Sequence, residues 1–524
     1  MLRKEANQLN FYGLLYHNIP KNHILKTINA AISFEFINKL LENSYCKSFG
    51  RPAKEPEMMA RLLMLEAMYD LSDRRVIEET QVNLAYMWFI GINPNDELPH
   101  HSLLSKFRTL RLKDTTMDDI LIEVVKQCVE KEIIPADNEA GIDTTHIMAN
   151  TTKKTPERIM KHLAKKIFKA MEITEYEIPE YKQIEDHQEA KRVMKEYLEG
   201  VIESASEEAA KEVELAREVL ESPLFIEQKG IRSIVDLDAR VGYKSKTDSF
   251  FGYKMEYALT TKGHLITAVG VHDGAYVDGT GFDELYTLSQ QAGLKIGSFY
   301  GDKAYFKKAI LDKLRQDKVK AYIPVNASSY HIDEDLFSYN KDSDQWVCKQ
   351  GHRSVTKKTK TTTRKDRGES TYYEYVFEKK ECLGCPFRKE CIKNAKTKAK
   401  KLTVGTNAGD YYEHSQWAKT EEFIEEYKKR AAIEWKNAEL KRFHGLSRAK
   451  GYGLRGVSIQ AKLAALAVNL KRIAALLSSD KPVIPVVVID SSRKVSGFFF
   501  LCVSMKPNLV SVKSNLTSTL NPAA

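Results

Sequence analysis

The sequence predicts a mixed α/β protein in which a five-stranded sheet with helices follows an N-terminal helical region. Residues 1–112 are rich in helix formers, with apolar residues at helical spacing. Residues 138–325 alternate β-rich and helix-favouring segments, an order typical of a sheet covered by helices. At 524 residues, the chain is long enough for two to four domains with substantial cores.

The N-terminal region is predicted to consist of short helices joined by polar turns. Residues 56–69 place Met, Leu and Ala at helical spacing, and Leu71 follows the end of this helix. Ser72 or Asp73 can cap the next helix, and residues 99–102 precede another one. This pattern favours a helix-turn-helix-like module that binds DNA. A helical cap that only supports the core is the alternative.

The predicted sheet lies in the middle of the chain. Thr261, Lys262 and Gly263 separate two β-rich runs and indicate a hairpin. Helices are expected at about 281–293 and 304–317. Strands are expected near residues 140–148, 250–260, 263–271, 296–302 and 319–325.

Two segments interrupt this core. Residues 153–222 are mostly charged, helix-favouring and poor in apolar residues. They predict a long helical hairpin, projecting or used in assembly, with a passive spacer as the alternative. Residues 327–405 are strand-rich and basic, and their basic runs are either phosphate-contacting elements or solvated loops. Residues 406–478 return to the core, and residues 480–524 form a tail to which we assign no role.

Four cysteines of the second insertion have the spacing of a zinc site. Cys382 and Cys385 form a CxxC knuckle, Cys391 follows them, and Cys348 precedes them. Four thiolates so spaced can close a tetrahedral Zn²⁺ site, and His352 can replace one of them. We expect a structural Zn²⁺ ion here. A redox CxxC motif and free thiols are the alternatives.

Three carboxylates lie on elements that the predicted sheet can bring together. Asp143 lies within the first strand, Asp302 lies at the end of the fourth, and Glu434 lies on a helix-favouring stretch. Clustered carboxylates repel one another unless cations neutralise them, and three of them suit two Mg²⁺ ions. On a continuous helix, four side chains around Glu434 fall on one stripe: Tyr427, Arg430, Glu434 and Lys441.

The chain resembles insertion-sequence transposases of the DDE class, in the subgroup with a Tyr-x2-Arg-x3-Glu-x6-Lys (YREK) signature. The stripe just described fits that signature at every position. Asp143 and Asp302 fit the first two acids of the triad, and Ala304 and Tyr305 fit the motif around the second. The resemblance covers about residues 10–478, and it includes the stretches 50–52, 71–74, 99–108, 238–240, 244–246 and 250–254.

This resemblance implies a fold, an activity and a set of partners. The fold is an RNase H-like core whose first strand is central, with the fourth strand beside it. The activity is metal-dependent cleavage and strand transfer of DNA, with Asp143, Asp302 and Glu434 holding two Mg²⁺ or Mn²⁺ ions. The partners are the terminal inverted repeats of the element and target DNA, bound by a homodimer or higher oligomer. The implied DNA-binding residues are Tyr427, Arg430, Lys441, Lys244, Lys246 and Lys254.

Alternatives remain for both the site and the function. Asp238 is the strongest rival acid, although its Asp-Ala-Arg setting favours a salt bridge. A nuclease of the same fold without strand transfer and an inactive DNA-binding relative are the other functional hypotheses. Further rival or supporting groups are Asp236, His272, Asp273 and Asp278.

Composition agrees with a polyanionic partner. The chain has 81 Lys and Arg against 71 Asp and Glu, and its net charge is +10. The first residues lack an apolar signal segment, and the sequence contains no run of 18 apolar residues. The seven cysteines favour a reducing compartment. We therefore expect a cytoplasmic, nucleoid-associated bacterial protein.

Overall fold

The computed structural model of the protein describes residues 11–46, 52–226, 230–245, 247–364, 368–394 and 396–478. Within these ranges the chain has the predicted mixed α/β class. The tail at 480–524 and part of the resembling stretch 50–52 lie outside the described residues. Among the described helices, none combines the length and the hydropathy that a membrane span requires.

Helices dominate the N-terminal region, as predicted. Helix α3 (Pro56–Tyr69) begins with a proline, which suits the first turn, and Asp70, which follows its last residue, has a φ of +49°. The Ser72 side chain accepts a hydrogen bond from the Arg75 N–H, so it caps α4 (Asp73–Val82) as predicted. The sequence did not predict the last N-terminal helix, α7 (Asp114–Glu130). The other helices are α1 (Ile24–Ala31), α2 (Phe36–Leu41), α5 (Leu84–Ile90) and α6 (Ser102–Leu110).

The central sheet is mixed, and β1 (Asp137–Met148) lies in its middle. On one side β3 (Ser249–Thr260) pairs antiparallel with β1, and β4 (Ile266–Asp273) pairs antiparallel with β3. On the other side β5 (Lys295–Tyr300) runs parallel to β1, and β6 (Lys320–Tyr322) runs parallel to β5. The first strand is therefore central and the fourth predicted strand lies beside it.

One strand of this sheet was not predicted. Strand β2 (Arg240–Tyr243) pairs with the start of β3, so that the sheet has six strands instead of the predicted five. Its four residues are too few for alternation to be recognised in the sequence. The predicted hairpin turn between β3 and β4 is present, and Gly263 adopts a φ of +101° there, which a side chain would disfavour.

Helices cover both faces of the sheet. On one face α19 (Leu454–Ser478) packs against β4 and against the N-terminal helices α1, α3 and α7. Their buried apolar side chains form one cluster with those of the sheet, so the N-terminal helices share a core with it. On the other face lie α12 (Phe282–Gln291) and α13 (Lys308–Gln316), close to the predicted helix positions.

The first insertion differs from the predicted helical hairpin. It contains α8 (Pro156–Ala170), α9 (His187–Glu203), α10 (Ala210–Glu221) and the short α11 (Pro223–Ile226). Buried residues of α8, α9 and α10 form a hydrophobic cluster separate from the sheet core. The third long helix forms because α10 carries apolar residues at helical spacing, among them the buried Ala216 and Val219.

The second insertion is strand-rich, as predicted. Its apolar side chains join the cluster that includes α12 and α13, so it packs against the core. It contains a sheet in the order β11 (Lys401–Gly405), β10 (Gly368–Phe377), β9 (Ser354–Arg364) and a two-stranded sheet of β7 (Phe337–Asn340) and β8 (Gln345–Cys348). Its helices are α14 (Lys379–Leu383) and α15 (Arg388–Cys391).

The signature stretch is not one continuous helix. After α16 (Ala408–Ala418), helix α17 (Glu421–Tyr427) passes into a 3₁₀ turn at Lys428–Arg430, and α18 (Ala431–Phe443) follows. The sequence predicted the helical residues here but not the tighter turn. Tyr427 thus ends one helix, Arg430 lies in the turn, and Glu434 and Lys441 lie on the next helix.

Candidate active site

Asp143 and Asp302 lie at matching positions relative to two neighbouring parallel strands. Gly141 of β1 pairs with Tyr300 of β5, and Asp143 and Asp302 each lie two residues further along. The Asp143 side chain is largely buried, with 12% of its surface exposed. Asp302 lies just past β5, where its carboxylate accepts a hydrogen bond of 2.7 Å from the Ala304 N–H. Parallel pairing therefore places both carboxylates at one end of the sheet.

A close approach of α18 to β1 brings the third acid to the same region. A Cβ atom on Gly141 would lie 2.2 Å from the Ile433 side chain, so glycine permits this contact. Ile433 is fully buried, whereas the next residue, Glu434, has 63% of its side chain exposed. The packing of Ile433 therefore fixes where Glu434 emerges.

Arg430 links the carboxylates. Its guanidinium donates to Glu434 Oε1 at 2.7 Å and to Asp143 Oδ1 at 3.5 Å. Asp302 also lies close enough to act on the Arg430 charge. The Arg430 side chain is 16% exposed, and its buried Nε has no hydrogen-bond partner among the described residues. The structure thus joins Asp143 and Glu434 through one guanidinium, and Asp302 is near enough to act on its charge.

Burial controls the charge of Asp143. The pKa of its carboxyl is raised to about 6, chiefly because burial removes it from water and also because Asp302 lies nearby, while Arg430 and Asn437 act in the opposite direction. A partly buried carboxylate beside a second carboxylate favours a bound cation, because a cation offsets both the lost hydration and the repulsion.

Asn437 was not predicted to belong to this site. Its amide donates to Asp143 Oδ2 at 2.8 Å, and its Oδ1 lies 3.0 Å from the Tyr257 hydroxyl. Tyr257 is the residue that pairs with Asp143 across β3. A signal was present in the sequence, since Asn437 lies ten residues after Tyr427 and so falls on the signature stripe.

A second network reaches the site from the other face of the sheet. The Tyr305 hydroxyl lies 2.9 Å from the hydroxyl of Thr144, the neighbour of Asp143, and it donates to Glu256 Oε1 at 2.8 Å. Glu256 is fully buried, and its other oxygen accepts a hydrogen bond from Tyr276. The motif that contains Asp302 is therefore tied to the strand that carries Asp143.

The last signature residue lies in a separate polar cluster. Lys441 Nζ lies 3.2 Å from His146 Nδ1, and the His146 ring contacts Phe250. Burial and the nearby Lys244 lower the pKa of Lys441 to about 8, and burial and Lys441 lower the pKa of His146 to about 4. His146 is thus neutral at pH 7 and accepts from Lys441.

The remaining predicted DNA-binding residues have different surroundings. Lys254 pairs with Asp278 at 2.8 Å, and Lys244 pairs with Asp248 at 3.4 Å. Tyr427 stacks on Phe423, with ring centroids 5.8 Å apart. Lys246 lies outside the described residues.

The rival acids have structural partners. Asp238 accepts a hydrogen bond of 2.7 Å from the Leu454 N–H at the start of α19, and the expected salt bridge is not formed with any described residue. Asp236 accepts from the Gly453 N–H at 3.2 Å and from the Tyr253 hydroxyl. Both aspartates thus hold the start of α19 in place.

The three carboxylates offer suitable oxygen donors for a cation, but they are not arranged as a metal site. Across the described ranges, no group of three or more His, Cys, Asp or Glu side chains has an arrangement that could hold a metal ion as it stands. The donors nevertheless fit Mg²⁺, because carboxylate oxygens are ligands that this ion prefers, and three carboxylates act on a single guanidinium. A cation at this place would require the side chains around Arg430 to move.

The four cysteines of the second insertion line one cavity of about 30 Å³, together with His352. Burial and the three other cysteines raise the pKa of the Cys391 thiol, while Lys400 lowers it. The Lys400 N–H lies 3.4 Å from Cys382 Sγ, and all four cysteines are free thiols. His352 pairs with Glu381 at 3.2 Å. The donors suit Zn²⁺, although their present geometry does not form a metal site.

Comparisons with known proteins give two family matches. Residues 14–110 match the family described as Transposase domain (DUF772), and residues 347–474 match the family described as Transposase DDE domain. The second match includes the whole signature from Tyr427 to Lys441, whereas Asp143 and Asp302 lie outside it.

The remaining comparisons are with curated protein sequences and with solved structures. No curated protein sequence matches the chain. Among solved structures, the piggyBac transposase synaptic complex with hairpin DNA aligns with 89% of this chain and 75% of that chain, at 10% identity and a TM-score of 0.28. A TM-score of this size does not indicate a common fold. Two stretches of the chain are therefore similar to transposase families, one near the N-terminus and one in the second half.

Proposed function

We propose that the protein is the DNA transposase of an insertion sequence, of the YREK signature subgroup. The main support is the placement of Asp143 and Asp302 at one end of adjacent parallel strands, with Glu434 joined to Asp143 through Arg430. The strand order, with a central first strand between an antiparallel second strand and a parallel fourth strand, supports an RNase H-like core. The two transposase family matches agree with this proposal.

Asp143, Asp302 and Glu434 would hold two Mg²⁺ or Mn²⁺ ions. Such ions stabilise the attacking and leaving oxygens of a phosphodiester and lower the pKa of a bound water. Asn437 fixes the orientation of Asp143 by donating to Oδ2, which leaves Oδ1 directed towards Arg430. Arg430 supplies a fixed positive charge that can bind a backbone phosphate at the same place.

Lys441 forms a second phosphate-binding position with Lys244. Burial raises the cost of keeping Lys441 charged, and the neutral His146 ring offers no compensating negative charge. A DNA phosphate would supply that charge. Tyr427, which stacks on Phe423 beside the acids, would pack against the terminal nucleotide. Lys246 and Lys254 remain proposed DNA contacts of the same region.

The cysteine cluster would hold a structural Zn²⁺ ion. Cys348, Cys382, Cys385 and Cys391 supply the thiolates, and the Lys400 N–H would donate to the bound Cys382 sulfur. The ion would fix α14 and α15 against β8, since the four ligands are distributed over these elements and the loop between them. The N-terminal helices would bind the terminal inverted repeats, and pairing of two element ends calls for at least a homodimer.

A cleavage and joining assay tests the proposed function. The substrate is duplex DNA carrying the inverted repeats that flank the coding region, together with a target plasmid. We expect Mg²⁺-dependent cleavage at the repeat ends and joining of the cut ends to the target. Cleavage without joined product would indicate a nuclease, and specific binding without cleavage would indicate an inactive DNA-binding relative.

The Lys441 contribution to DNA affinity should depend on pH. Its lowered pKa, about 8, means that the charged form predominates below pH 8 and is lost as the pH rises through that value. We expect Lys441→Gln to weaken binding of end-bearing DNA by roughly tenfold at pH 7, as for loss of one phosphate contact, and by much less at pH 9.5. Fluorescence anisotropy across this range measures the difference. A constant ratio of the two affinities at every pH would contradict the prediction.

A further inference from the structure

Helix α8 has a polar face made of cations alone. Starting from Arg158, its cationic side chains and His162 fall within roughly 140° of the helix circumference. Arg158, Lys165, Lys166 and Lys169 are exposed, and Lys161 is half-buried. Glu157 is the only acidic residue of α8 and is buried. The solvent-facing side of the helix therefore carries five positive charges and no negative ones.

The opposite face of α8 explains why the helix is held in this orientation. Ile159, Leu163 and Ile167 are buried in the separate core of the insertion, against α9 and α10. Because these residues anchor the helix, the cationic stripe must face away from the insertion core. The stripe is thus a fixed surface of the fold.

The charges of this stripe lack carboxylate partners. Among the described residues, none of the five cations of α8 forms a salt bridge with a carboxylate. By contrast, on the adjacent α9, Arg192 pairs with Glu189 at 2.7 Å and Lys195 pairs with Glu199 at 3.7 Å. The positive electrostatic potential of the stripe also acts on His162, because burial together with Lys154, Lys165 and Lys166 lowers the pKa of this side chain. A surface built this way retains its attraction for an external polyanion.

We infer that α8 binds the phosphate backbone of duplex DNA beside the cleavage site. The inference rests on the proposed function and assigns a role to the first insertion. A helix of this length extends about 22 Å, over which duplex DNA carries on the order of 13 phosphates. Seven residues join the end of β1, the strand of Asp143, to the start of α8, so the first residue of the helix lies within about 28 Å of that strand end. Flexible cations on a helix face recognise phosphate without reading sequence, so the contact adds affinity but no sequence specificity.

The salt dependence of DNA binding tests this role. We expect the triple variant Arg158→Gln, Lys165→Gln, Lys169→Gln to bind duplex DNA more weakly, by a similar factor for end-bearing and unrelated sequences. The slope of log affinity against log salt concentration should fall in magnitude by about 2.7, or 0.9 for each removed phosphate contact. Glutamine keeps the helix propensity, and circular dichroism and thermal unfolding of the full chain verify folding.

Two matched variants make the result specific. The triple variant Lys191→Gln, Arg192→Gln, Lys195→Gln removes the same charge from α9, where carboxylates already pair with Arg192 and Lys195, and its slope should change little. The variant Arg158→Lys, Lys165→Arg, Lys169→Arg keeps the charge of α8 and should retain wild-type binding.

Several outcomes would overturn the inference. It fails if the α8 glutamine variant keeps the wild-type slope, or if the α9 variant loses as much affinity, since net charge alone would then explain the effect. If the wild-type protein cleaves end-bearing DNA and only the α8 effect is absent, the proposed function stands while the α8 role falls. A wild-type protein that neither binds nor cleaves DNA would contradict both the proposed function and the role of α8.

Discussion

We expect the rate of cleavage of end-bearing DNA to fall by roughly a thousand-fold or more in each of the variants Asp143→Asn, Asp302→Asn and Glu434→Gln. Each change removes one carboxylate from the proposed metal site, and loss of several kcal/mol of transition-state stabilisation corresponds to such factors. DNA affinity should change little in Mg²⁺-free buffer, because binding depends mainly on Lys and Arg. Single-turnover cleavage and a separate affinity measurement on the same DNA distinguish the two effects.

Glu425→Gln is the matched control for this experiment. Glu425 lies on α17 near the site, is 73% exposed and pairs only with Lys428 among the described residues. Its loss should leave cleavage unchanged, since an exposed pair of this kind contributes little. Wild-type cleavage by Glu434→Gln with Mg²⁺ would show that Glu434 is not a metal ligand, and equal losses in Glu425→Gln would point to general damage.

Removal of Zn²⁺ should have the largest effect on stability. Structural Zn²⁺ sites bind with apparent free energies of roughly 10–16 kcal/mol near pH 7, so the second insertion should depend on the ion for its fold. We expect about one Zn²⁺ ion per purified chain. Cys385→Ser should abolish the bound Zn²⁺ and lower the midpoint of thermal unfolding. Elemental analysis by mass spectrometry and thermal unfolding measure the two quantities.

Cys46→Ser is the control for the cysteine cluster. Cys46 is an exposed thiol outside the second insertion, so its loss should change neither the metal content nor the unfolding midpoint. A wild-type protein without Zn²⁺, whose stability does not change on Cys385→Ser, would contradict the structural role. A disulfide between Cys382 and Cys385 in the purified protein would favour the redox alternative.

Periodicity in the sequence was enough to locate the main elements. Strand β1, the β3–β4 hairpin and helices α12 and α13 lie close to their predicted positions, because each has a clear apolar period and turn residues at its ends. The short β2 carries no recognisable period, and α10 turned an expected hairpin into a three-helix unit. These errors concern short or weakly apolar segments, where local pattern is least informative.

By itself, the sequence determined the mixed class and the four-residue signature, since these follow from local periodicity and motif spacing. The expected central strand and the acids proposed for catalysis came from the resemblance that the signature carries. The tertiary structure alone decided how these groups meet. The 3₁₀ turn and the packing of Ile433 against Gly141 place Arg430 between Asp143 and Glu434. The partners Asn437 and His146, and the unpaired cations of α8, likewise depend on packing between distant segments. Local sequence does not specify which side chains such packing brings into contact.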